Sequence, residues 1–236
     1  MTTGFWPVPE KPQAERRGRR TVRNVGIRLA LQSAIAATVF VAAARAEDTK
    51  AEVPKQELQA KMAYCQVCHG PSGQGFRGYY AIPRLAGQQP EYFENQLQAF
   101  IERRRTNVIM FNVAHVLSLA MLASLAANFH DFNPKPLGGA PKDLIDTGKK
   151  IYQDGIPSAD VPACASCHGP EAKGDGQFPR LAGQLNDYIL NKLTNWSKER
   201  GQNPSNPDSS SIMEPIAHGL NKQQIEAVAA YVSYLE

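Results

Sequence analysis

Nowhere along the chain do apolar and polar residues alternate as a half-buried strand requires, so the elements predicted are helices. They fall near residues 55–66, 90–104 and 118–131, and again near 142–153, 186–199 and 222–235. The last helix of each set differs in pattern. After Ser118 the chain reads Leu119-Ala120-Met121-Leu122-Ala123-Ser124-Leu125-Ala126, apolar nearly all round. That predicts burial on more than one face, where the two halves meet or against a partner. The matching segment, Lys222-Gln223-Gln224-Ile225-Glu226, is amphipathic, and Asn221 with Gln224 has the spacing of a capping box. A further apolar stretch, Leu29 to Ala43, follows a basic segment from Arg16 to Arg28 and precedes Ala44-Arg45-Ala46. This is the tripartite form of a secretory signal peptide, with cleavage expected after Ala46. An uncleaved anchor is the alternative, but a span wants about 20 apolar residues, and this stretch is shorter and holds Gln32, Ser33 and Thr38. The arginine pairs also raise twin-arginine export, a less favoured route.

Charge changes the picture once it is split along the chain. Residues 1–46 hold eight of the 26 basic residues and two of the 22 acidic ones, leaving 18 basic and 20 acidic groups beyond them. The sequence pI of about 8.9 therefore belongs to the leader. The remainder is near −2 and offers no basic surface for nucleic acid. No acid/base pair or activated nucleophile stands out, so hydrolytic chemistry is not supported.

The four cysteines form two Cys-x-x-Cys pairs, Cys65-Gln66-Val67-Cys68-His69 and Cys164-Ala165-Ser166-Cys167-His168. Four cysteines in an exported chain also allow two disulfides. The histidine after each pair points instead to c-type haem attachment. Two thiols three positions apart on a helical turn each add across one vinyl group of a porphyrin, and the adjacent histidine lies beneath the iron. A redox dithiol has no need of that histidine, and zinc would gather both pairs at one ion.

The surroundings repeat as well. His69-Gly70-Pro71 recurs as His168-Gly169-Pro170, and Pro83-Arg84-Leu85-Ala86-Gly87-Gln88 as Pro179-Arg180-Leu181-Ala182-Gly183-Gln184. Ile109-Met110 with Val113-Ala114-His115 recurs as Ile212-Met213 with Ile216-Ala217-His218. The chain is therefore read as a leader, 1–46, and two homologous domains, 47–137 and 138–236. The segment from Pro134 to Pro141 reads as a stiff linker. From the first Cys to the shared Arg the halves differ by three residues, 19 against 16, and from that Arg to the shared Met by seven, 26 against 33. The seven extra residues fall in Gly201 to Ser211, expected as a surface loop.

Met213 is the one methionine of the second half, and the repeat pairs it with Met110. A soft thioether favours ferrous iron, which makes these two the candidates for the second axial position. Met62 and Met121 read as core. His115 and His218, five residues beyond the methionines, compete for the same role, and His130 has no counterpart and is expected to face solvent.

These segments resemble the cytochrome c4 family of two-haem periplasmic cytochromes over roughly residues 55–236. The matching features are both C-x-x-C-H-G-P and P-R-L-A-G-Q segments, both methionines and the alanine-rich final helices. The resemblance implies an all-α fold of two tandem cytochrome c-like domains, each around one covalent haem c. It implies thioethers at Cys65, Cys68, Cys164 and Cys167, proximal ligands His69 and His168, and distal ligands Met110 and Met213. It further implies that the Pro83 and Pro179 carbonyls accept from the histidine rings. The expected function is that of a soluble periplasmic electron carrier between respiratory-chain components such as a membrane cytochrome complex or terminal oxidase. The alternatives are the electron-accepting subunit of a periplasmic dehydrogenase and, against the repeated methionines, a two-haem peroxidase.

Overall fold

A computed structural model describes residues 52–200 and 210–236; the expected leader and most of the expected 201–211 loop lie outside them. Among the described residues there is no strand, and pairing reduces to isolated bridges such as Phe76 with Ile82 and Asp175 with Phe178. The first half holds helices α1 (Lys55–His69), α2 (Pro90–Ile101), α3 (Val108–Ala114) and α4 (Leu119–His130). The second holds α5 (Ile145–Asp154), α6 (Ala165–His168), α7 (Asn186–Thr194), α8 (Trp196–Glu199), α9 (Ser210–Gly219) and α10 (Lys222–Tyr234).

Local chemistry sets most of these bounds. α2 starts with Pro90 in its first turn, where the missing N–H costs nothing. Side chains of Asn107, Ser118 and Asn221 accept from the backbone N–H three residues on and so start α3, α4 and α10. Asn221 and Gln224 form both bonds of the expected capping box. α1 runs unbroken through the first cysteine motif, whereas in the second half Gly155, Pro157 and Pro162 part α5 from the short α6. The expected helix over 186–199 is broken at Asn195, which leaves helical dihedrals. The expected loop over 201–211 ends sooner, because Ser210 and Ser211 already belong to α9.

Each half has its own apolar core. In the first, α4 packs on α1 and α2, with Phe93 and Phe129 stacked at 5.6 Å between ring centroids. Leu122 is 1% exposed and Leu119 39%: α4 buries Ala120, Met121, Leu122, Leu125, Ala126 and Phe129 but keeps Leu119, Ala123, Ala127 and His130 on an open stripe, less burial than its all-round apolar pattern predicts. The burial is against its own half rather than the other one. In the second half α10 crosses α5 so closely that a Cβ on Gly148 would sit 2.0 Å from the Ala227 carbonyl oxygen. Only glycine permits that approach.

The halves meet through their shared hexapeptide. The Gln184 side chain accepts from Arg84 N at 2.8 Å and donates to Arg84 O at 3.0 Å. Reciprocally, Gln88 accepts from Arg180 N at 2.7 Å and donates to Arg180 O at 3.2 Å. A second contact joins the same halves: Arg105 donates to Tyr188 and Gln96, and Arg200 to Gln96 and Tyr92. The linker is fixed at both ends, Pro134 O accepting from Arg84 Nη1 and Ala140 O from the Tyr234 hydroxyl.

Candidate haem sites

The last turn of α1 carries Cys65, Cys68 and His69, and α6 with its preceding turn carries Cys164, Cys167 and His168. At three residues apart, the two thiols of each pair share one helical face. All four cysteines are free. Burial pushes Cys65 and Cys164 up to about 11, so both are neutral thiols, unlike the acidified cysteine of a redox dithiol. Among the described residues no three His, Cys, Asp or Glu side chains converge as a metal cluster would require.

His69 and His168 are both buried. His69 Nδ1 donates to the Pro83 carbonyl at 2.8 Å, and His168 Nδ1 to the Pro179 carbonyl at 2.9 Å. A carbonyl can only accept, so the proton sits on Nδ1. Burial holds both rings below the ordinary imidazole value, against the opposing effect of the proline carbonyls. Each ring is thus neutral and keeps a lone pair on Nε2, the form that ligates iron. The prolines are held in place through the glycine-rich loop after each motif. Gly73 O accepts from Leu85 N and Ala86 N, and Ala172 O from Leu181 N and Ala182 N.

Met110 lies on α3, partly buried and packed against the first core. Met213 lies on α9, also partly buried. Met62 and Met121 are core. The competing histidines are exposed and bonded elsewhere, His115 Nδ1 to Phe111 O at 3.0 Å and His218 Nε2 to Ser197 Oγ at 2.7 Å. His130 is exposed, yet its Nδ1 reaches Gln88 O at 3.0 Å.

Similarity to known proteins settles the class. A cytochrome c family model matches residues 145–236. Cytochrome c4 of Thiocapsa roseopersicina is 39% identical over 175 residues, covering 72% of this chain and 86% of that protein. The crystal structure of reduced recombinant cytochrome c4 from Pseudomonas stutzeri superposes with a TM-score of 0.67 at 30% identity, covering 79% of this chain and all of that one. The chain belongs to the cytochrome c4 family. A thiosulfate dehydrogenase electron acceptor of Thiomonas intermedia (strain K12) is also 32% identical over 180 residues, 72% of this chain and 78% of that protein. As a cytochrome c4 the molecule is an all-α electron-transfer protein with covalently bound haem c.

The residues present fit that group, and one observation bears on it directly. Arg84 and Arg180 are buried at the seam, and neither meets a carboxylate among the described residues. Arg180 Nη2 is buried without a hydrogen-bond partner. Burial, with the Arg180 guanidinium beside it, brings Arg84 down to about 10, and burial lowers Arg180. An unpaired buried cation is costly, and the propionates of a haem c are anions of the kind it lacks. In the sequence these arginines and the two glutamines stand only as markers of the repeat. The one signal of their role was their identity at equal positions in the two hexapeptides.

Proposed function

We propose that each half, 47–137 and 138–236, holds one haem c, and that the leader 1–46 is removed on export to the periplasm. Cys65 and Cys68 supply the thioethers of the first site, with His69 proximal and Met110 distal. Cys164 and Cys167 supply those of the second, with His168 proximal and Met213 distal. The observation that carries this reading is the matched pair of His Nδ1 bonds to the Pro83 and Pro179 carbonyls. When bound, each haem supplies a one-electron ferric–ferrous couple. The chain's own work is to fix the imidazole planes, keep Nε2 unprotonated and offer thioether sulfur opposite. With His69 and Met110, and His168 and Met213, holding the two haems, no open place would be left for a substrate, which suits a carrier and not a peroxidase.

The molecule thereby acts as a diffusible carrier between respiratory-chain components. Among the described residues no single helix is long and apolar enough to cross a membrane. A second reading, electron acceptor of a periplasmic dehydrogenase, is favoured by the similarity to the Thiomonas intermedia protein. Optical titration of the purified protein, with haem counted per chain, tests the assignment. Two haems with two iron–methionine charge-transfer bands are expected, and Met110→Ala or Met213→Ala should each remove one band. Bands unaffected by either substitution would sink the distal assignment. Recovery of the native protein in a stable complex with a catalytic chain would move the second reading ahead.

A further inference from the structure

We infer that Ser197, Glu214 and His218 form a polar clasp that positions α9, and with it Met213, over the second haem site; this rests on the assignment of Met213 above. Ser197 Oγ lies 3.1 Å from Glu214 Oε1 and 2.7 Å from His218 Nε2. A hydroxyl has one proton, so Ser197 donates to the Glu214 carboxylate and accepts from His218 Nε2–H. Glu214 and His218 are four residues apart on α9 and share a face. Ser197, on α8, sits between them and joins the two helices.

The second half has reason to need this clasp. Between the shared arginine and the shared methionine the second half is seven residues longer than the first. α9 also contains Pro215, which cannot donate a helical hydrogen bond. The first half lacks the clasp at the equivalent places. Counting from the shared arginine, Ile101 stands where the second half has Ser197; counting from the shared methionine, Phe111 stands where it has Glu214. There His115 turns back on its own helix, stacking on Phe111 with ring centroids 5.2 Å apart. The two equivalent histidines thus do different work, and His218 acts as a positioning residue rather than a ligand.

The test uses the full two-haem protein with Ser197→Ala, Ser197→Thr and Met213→Ala. In Ser197→Ala, amide exchange across 210–219 should be about fivefold faster, the change expected for one lost hydrogen bond. One of the two iron–methionine bands should weaken and one of the two reduction potentials shift, while the other haem stays as it was. Ser197→Thr, which keeps the hydroxyl, should restore all three. Unchanged exchange in α9, or faster exchange with both bands and both potentials intact, would overturn the clasp. Met213→Ala separates the two ideas. If it leaves both bands in place the ligand assignment fails, whereas if it removes one band while Ser197→Ala is silent only the clasp fails.

Discussion

Gln184 uses both ends of its amide on one backbone residue: the oxygen takes Arg84 N and the nitrogen gives to Arg84 O. Removing that side chain leaves two buried backbone groups unpaired, and each unsatisfied group costs about 1–3 kcal/mol. Gln184→Ala should therefore lower the denaturation midpoint by several kcal/mol equivalent, measured by urea unfolding of the holoprotein, and Gln88→Ala should do the same from the other side. A midpoint within error of the parent would mean that water replaces the amide at no loss. At this scale the cysteines and histidines are legible from spacing, because their chemistry is local to one motif, whereas the proline acceptors, 14 and 11 residues further on, follow only from the family resemblance. The arginine–glutamine exchange was not legible, since its partners lie 92 and 100 residues apart and meet only when the halves close.

Among the elements, α3 and α9 were missed. α3 spans seven residues, too few for a helical period to stand out, and its one signal was Asn107 placed to cap Met110 N. α9 was masked by Pro215 and by the polar stretch before it, which read as loop. The terminal helices, with strong caps and long apolar stripes, were read within a few residues. Two substitutions test how they are held. Asn221→Ala removes the side-chain half of the capping box, leaving the Asn221 N–H bond to Gln224, and should cost about 1 kcal/mol, read from the unfolding midpoint. Gly148→Ala sets two effects against each other: alanine gains about 1 kcal/mol in helix propensity, while overpacking costs about 1–3 kcal/mol or more. With a backbone oxygen 2.0 Å from the new Cβ, the clash wins and the variant should be less stable than the parent. A stabilised variant would mean that α5 and α10 separate freely.

Across the whole molecule, each half is small and has its own separate core, so a bound haem is expected to complete it. Replacing Cys65 and Cys68, or Cys164 and Cys167, by alanine should abolish the cooperative thermal transition of that half by circular dichroism. A fully helical, cooperatively melting variant would show that the polypeptide core suffices. The two-half organisation was readable from the duplicated motifs; the way the halves join was not, because no single segment encodes it.

That junction sets one hexapeptide against its own duplicate with the same bonds made in both directions, the self-complementary pattern of a two-fold homodimer. Residues 134–141 turn what would be an encounter between two molecules into one within a single chain, at an effective concentration on the order of millimolar. Pairing of the halves is then indifferent to dilution. A sedimentation coefficient that stays constant down to nanomolar protein is the outcome such a tether enforces, while any substitution accepted in one copy of the hexapeptide must also be tolerated by the other.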